Sequence, residues 1–203
     1  MTQKTAARAA ARAPKTGQLQ RTSEAVLDAV LALLREQAYR DMTIDQIAQR
    51  SGIARSTIYR RWGSVAELVI QAFERALGPG LPSPDHGDVR TDLVHLYRRF
   101  AKILKGSLWG QVLPSLIEAA AGDAEFAQLL ARLERERRLN SRTILERGIE
   151  RGELTPDTPV DRIVELLSGL MYHRYLISGE KLGERGLVEW MVDAALAQHW
   201  QEG

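Results

Sequence analysis

From Lys15 to Gly78 the chain contains no proline, and apolar residues return there at helical spacing. Proline breaks a helix interior by removing a donor and clashing with the preceding turn, so its absence leaves this stretch free to run as helices. In residues 22–38, Val26, Leu27, Val30, Leu31 and Leu34 fall on one helical face. The stretch ends at Gly78-Pro79-Gly80-Leu81-Pro82-Ser83-Pro84, which cannot be helical and reads as a linker. Nowhere does the chain alternate apolar and polar residues long enough to form a strand, and its β-branched residues are scattered. The expected fold is all-α, with about nine helices.

The punctuation predicts four segments: a flexible basic tail over 1–20, a first helical domain over 21–78, a linker over 79–87, and a second helical domain over 88–203. Composition narrows the chemistry. There is no cysteine, so disulfides, thiolate nucleophiles and cysteine-based metal sites are excluded. The four histidines, His86, His95, His173 and His199, include no pair at metal-ligand spacing, so no metal and no cofactor is expected. No apolar run reaches the roughly 18 residues of a membrane span, and the first 20 residues lack the apolar core of a secretory signal. A cytoplasmic protein is expected.

The formal charge of +2 conceals an asymmetry. Residues 1–63 hold eleven Lys/Arg against five Asp/Glu, whereas residues 64–203 hold seventeen against twenty-one. A basic head joined to an acidic body suggests that one end meets a polyanion.

The most specific segment is 44–62. Thr43-Ile44-Asp45-Gln46 has the form of a capping box, opening a short helix with Ile44, Ile47 and Ala48 on its inner face. At Gly52 a positive φ would permit the sharp turn into a second helix. Ala48 is small enough to let the two helices cross closely, and Ile53 and Ile58 are spaced to pack on that crossing. The pattern is a helix-turn-helix, with Ile47, Ala48, Gly52, Ile53, Ile58 and Trp62 as its core. The second helix, Ala54 to Trp62, buries Ile58 and Trp62 and presents Arg55, Ser56, Thr57, Tyr59, Arg60 and Arg61 elsewhere. Arginine suits guanine edges or phosphate, and hydroxyls and tyrosine suit phosphate oxygens. No acid occurs from Gln46 to Ala66.

Over about fifty residues this segment resembles the DNA-binding domain of the TetR-type transcriptional repressors. The resemblance rests on Leu27-Asp28-Ala29, Tyr39, Thr43-Ile44-Asp45-Gln46-Ile47-Ala48, Gly52-Ile53, Thr57-Ile58-Tyr59, Trp62 and Glu67-Leu68. It implies phosphate contacts at Tyr59 and Thr43, and base or phosphate contacts at Arg55, Thr57 and Arg60. Three departures stand out. Ala54 replaces a frequent serine cap, Ser56 a frequent glycine, and Val65 a frequent phosphate-binding lysine, whose charge Arg60 and Arg61 could replace. Ser64-Val65-Ala66-Glu67 is a second capping box, opening helix 4. In the family that helix joins the DNA-binding domain to a ligand-binding one and conveys effector binding to the spacing of two recognition helices.

Residues 88–203 read as helices near 88–105, 109–121, 123–151, 159–177 and 184–200, a layout similar to the family's ligand-binding and dimerisation domains. The last two are apolar over more than one stripe, as expected of helices that pack on two sides. Ile163, Leu167, Leu170, Tyr175, Trp190 and Met191 are the candidates for a homodimer interface. Tyr97, Phe100, Trp109, Leu113, Tyr172 and His173 are candidates for an effector pocket. Arg137 and Asn140 occupy apolar positions of the stripe Phe126, Leu129, Leu130, Leu133, Ile144. Either they face a cavity and bind a polar or anionic effector, or they are solvated or salt-bridged. The arginines and glutamates crowding 132–138 favour the second reading.

The sequence therefore predicts a ligand-responsive repressor that binds palindromic operator DNA as a homodimer and is released by an unidentified small molecule. The alternative is a DNA-binding regulator controlled by protein contacts, without an effector. A DNA-acting enzyme fits less well, because the carboxylates are spread over exposed helical positions and no catalytic residue stands out.

Overall fold

The computed structural model describes residues 13–77 and 83–201. Residues 1–12 of the expected tail and 79–82 of the expected linker lie outside it. Among the described residues there are nine α-helices: α1 Ala13–Leu33, α2 Ile44–Ser51, α3 Arg55–Arg61, α4 Val65–Leu77, α5 Val89–Gly106, α6 Leu108–Gly122, α7 Ala124–Glu150, α8 Val160–Tyr172 and α9 Leu187–Leu196. A 3-10 turn at Tyr39–Asp41 precedes α2, and a π-helical turn at His173–Ser178 continues α8. The only β-type pairing among the described residues is an isolated bridge between Leu154 and Trp200.

The all-α expectation holds, with shifts at the ends. α1 begins at Ala13, inside the stretch read as a tail, and stops at Leu33. The last helix is shorter than 184–200, because Gly186 at positive φ delays its start to Leu187. The chain forms two compact units. The first runs to Leu77 and takes in Ser115–Leu129; the second comprises Gly78–Pro114 and Leu130–Gly203. The first boundary between the units falls after Leu77. The inclusion of 115–129 in the first unit differs from the expected division, which placed those residues in the second domain. Pro114 lies inside α6, next to the division between the units.

In the first unit, α1 packs against α2 and α4, and α2 against α3. Val26, Val30, Ile47, Ile58, Leu68, Val69 and Ala72 are wholly inaccessible. Burying a side chain of Val, Ile or Leu size contributes about 1.5–3 kcal/mol, so this interior outweighs any cap or surface pair around it. Phe126 is likewise inaccessible, and its ring lies 4.4 Å from that of Tyr39. Arg40 pairs with Glu118 at 2.6 Å, and Ser64 Oγ donates to Glu125 at 3.0 Å. Residues 115–129 thus pack on the turn before α2 and on the start of α4.

In the second unit, α9 packs on α5 and α8. The buried Tyr97 hydroxyl lies 3.3 Å from Ser141 Oγ and 3.4 Å from Ser168 Oγ, linking α5, α7 and α8. Gly110 is required by space: a Cβ there would lie 1.8 Å from the Leu104 carbonyl oxygen, so only glycine lets α6 start so close to α5.

Candidate nucleic-acid interface

The geometry of α2 and α3 follows from their caps. Thr43 Oγ1 accepts from the Gln46 amide at 3.3 Å, and Gln46 Oε1 accepts from the Thr43 amide at 2.8 Å, which completes the expected capping box. Gln37 Nε2 also donates to Gln46 Oε1 at 3.1 Å, and Arg50 pairs with Glu36, so both ends of α2 are tied to the segment after α1. Gly52 ends α2 at φ 71°, the left-handed conformation that glycine adopts without a Cβ penalty. Ala54 supplies no side-chain cap, as expected from its lack of an acceptor.

α3 is held from beneath. Ile58 and Trp62 are buried, and the Trp62 indole donates to Gln71 on α4 at 2.8 Å. Gln71 is oriented by Glu67, which also accepts from the Gly63 amide at 2.9 Å. The Ser64 hydroxyl accepts from the Glu67 amide, so the second capping box forms with Glu67 reaching one residue further back than expected. Of the helix-turn-helix core, Ile47 is buried, Ala48 and Ile53 are half-buried, and Gly52 is exposed at the turn.

The outer face carries the candidate contacts. Tyr59 is 59% exposed, Ser56 and Thr43 are exposed, and Thr57 is half-buried. The three arginines of α3 differ. Arg60 is exposed and has no hydrogen bond or ion pair among the described residues. Arg61 donates to the Leu19 carbonyl at 3.2 Å and lies over the Trp62 ring at 5.2 Å, so it braces α3 against α1. Arg55 Nε pairs with Asp45 at 2.8 Å. Asp45, Gln71 and the Leu19 carbonyl escaped the sequence reading. Helical periodicity locates faces, and it carries no signal for a pair between two helices.

In the second unit the effector candidates fall into separate settings. Tyr97, Trp109 and Leu113 are buried, and Phe100 and Tyr172 are half-buried with rings 5.5 Å apart. Burial, and then the neighbouring Glu134, push the Tyr172 hydroxyl well above the usual tyrosine range. The Arg137 guanidinium lies over Trp109 at 5.4 Å, half-buried and without a salt bridge among the described residues; this corrects the favoured solvated reading. Asn140 accepts from Ser83 Oγ at 3.0 Å, and His173 is exposed. Of the dimer candidates, Ile163, Leu167 and Met191 are buried within the chain and cannot serve a partner. Their stripe faces the unit's own core. Trp190 on α9 is 62% exposed, Leu170 and Tyr175 are half-buried, and Leu166, at 59%, shares the outer face of α8 with Leu170.

A capped helix-turn-helix with an arginine- and tyrosine-bearing outer helix, followed by a helical second unit, defines a DNA-binding transcriptional regulator. The chain belongs to the tetR family of bacterial regulatory proteins. That family's model matches residues 26–72, and the tetracyclin repressor-like C-terminal domain matches residues 83–195. The chain is 30% identical over 174 residues to the HTH-type transcriptional regulator YdeS of Bacillus subtilis (strain 168), covering 85% of this chain and 87% of that protein. It is 28% identical to the DNA-binding transcriptional repressor TetR of Mycobacteroides abscessus, covering 77% and 83%. Among solved structures, the TetR family regulator SCO0332 superposes with a TM-score of 0.72 at 32% identity, over 87% of this chain and 97% of that one. The flavonoid-responsive regulator FrrA shares the fold, with a TM-score of 0.71 at 18% identity over 91% and 100%. The chain is thus a transcriptional regulator and not an enzyme. No helix among the described residues is long and apolar enough to cross a membrane.

Proposed function

We propose that this regulator is a cytoplasmic repressor that binds a palindromic operator as a homodimer, with Arg55, Ser56, Thr57, Tyr59 and Arg60 of α3 and Thr43, the cap of α2, on the DNA. The observation that carries this reading is the division of α3: Ile58 and Trp62 are sealed in the core while Tyr59 and Arg60 stand in solvent. Arg61 takes a bracing role instead. The repressor named among the relatives supports the sign of regulation. The exposed Leu166 and Trp190 support self-association, since two recognition helices on one two-fold axis reach half-sites a helical turn or a multiple apart.

The effector reading rests on the half-buried aromatic and charged side chains of Phe100, Tyr172 and Arg137 in the second unit. Coupling to the DNA-binding helices would use residues 115–129, whose Phe126 and Glu125 pack on Tyr39 and Ser64. Selection of bound sequences from random DNA tests the reading. A palindromic consensus, bound with steep salt dependence, is expected. Recovery of a non-palindromic site, or of none, would sink it. A metabolite screen by thermal shift then separates an effector-controlled repressor from one governed by protein contacts.

A further inference from the structure

Asp45 is the carboxylate that reaches the recognition helix. It occupies the second position of α2, and its Oδ1 lies 2.8 Å from Nε of Arg55, the first residue of α3. Both side chains are more than half exposed, at 59% and 64%. An exposed pair of this kind adds little to fold stability. On a face that meets phosphates a carboxylate also weakens binding by simple repulsion. An acid in the first turn of α2 complements the helix dipole, which accounts for its place in that helix but not for its approach to the Arg55 guanidinium.

The atoms engaged supply a reason. A guanidinium carries one N–H at Nε and two terminal amino groups in a rigid fork. Asp45 engages Nε. The two Nη groups are the ones that match the O6 and N7 acceptors of guanine in the major groove. Residues at the start of a recognition helix are those that reach base edges. Arg60 has no such support, and Arg61 is committed to the Leu19 carbonyl and the Trp62 ring. Of the three arginines, Arg55 alone is held by a carboxylate among the described residues.

We propose that Asp45 is a specificity-determining residue, a positioning group that fixes the Arg55 fork so that it reads one guanine in the operator. The proposal rests on the DNA-binding role of α3 given above. Asp45 costs general affinity for DNA and raises discrimination at a single base position, and these two effects have opposite signs.

The test uses the full-length chain in three forms, wild type, Asp45→Asn and Arg55→Ala, each put through selection from random duplex DNA. Binding constants follow on the wild-type consensus, on its single-base variants and on unrelated DNA. Both substitutions are at exposed positions, and circular dichroism verifies folding. The expected result is a fixed guanine for wild type whose preference, about tenfold or more for a bidentate pair, is lost in Arg55→Ala. Asp45→Asn should lose most of the same preference while binding unrelated DNA more tightly than wild type. Unchanged discrimination in Asp45→Asn overturns the proposal and leaves base reading by Arg55 standing. Relaxation at a different position from that lost in Arg55→Ala also overturns it, and assigns Asp45 a base contact of its own. A wild-type chain that selects no sequence overturns the DNA-reading role of α3 together with this proposal.

Discussion

The indole nitrogen of Trp62 donates to Oε1 of Gln71 at 2.8 Å, joining the end of the recognition helix to the middle of α4. The two side chains fix how far α3 stands from the helix that follows it. Replacing Gln71 by Ala leaves a buried N–H without its acceptor, and such a loss costs about 1–3 kcal/mol. We expect Gln71→Ala to lower the urea midpoint accordingly, with an unchanged slope. Trp62→Phe in that background should cost less than in the wild type, because it removes the orphaned donor. A double-mutant cycle that shows no coupling would refute the linkage.

Arg60 and Arg61 are neighbours with different expected phenotypes. Arg60 is exposed and has no partner among the described residues, so Arg60→Ala should leave the melting temperature unchanged. If it meets a phosphate, the slope of log K against log salt falls by about 1 per protomer. Arg61→Ala loses its bond to Leu19 and its place over Trp62, which should cost about 1 kcal/mol of stability with a smaller change in salt slope. Salt titrations and melting curves on both variants separate the two roles, and identical behaviour would contradict the division.

Tyr39 provides a pH-dependent handle on the first unit. Burial, with the nearby Asp123 carboxylate adding to it, pushes its hydroxyl up to about 12 from an ordinary value of 10.0. The folded state therefore favours the protonated phenol. The associated stability is fully present below the unfolded value and is lost as the pH rises through the folded one. Stability of the wild type should fall between about pH 10 and 12 relative to Tyr39→Phe, by roughly 1 kcal/mol once solvent screening of this half-buried group is allowed for. Denaturant curves at pH 9 and pH 11 check the sign. A wild-type curve that tracks the Phe variant at both values argues against it.

Leu166 and Trp190 expose more than half of their surface on α8 and α9. If these faces meet across a two-fold axis, a charge there is buried twice in each dimer and should shift the association equilibrium by orders of magnitude. Leu166→Glu and Trp190→Glu are expected to sediment as folded monomers that retain helical signal. Retention of the dimer in both would place the interface elsewhere.

Local chemistry explains why so much of the DNA-binding half was legible in advance. A capping box, a glycine at the turn and an isoleucine–tryptophan step at helical spacing involve residues within a turn or two of one another. Thr43, Gly52, Ile58 and Trp62 accordingly behave as their neighbours dictate. The second unit was legible only as helices. Its apolar stripes were broad enough to serve either a core or a partner, so Ile163, Leu167 and Met191 were assigned outward although they face inward.

Sequence by itself thus determined the all-α fold, the position of the helix-turn-helix and the tetR-type family, because periodicity and capping are properties of short stretches. Tertiary structure alone decided which arginine of α3 is held, which is free and which braces. It also assigned residues 115–129 to the first unit and seated Arg137 over Trp109. Each of these depends on contacts between residues distant in the chain, whose geometry is set by how the helices pack and not by the spacing of residues along any one of them.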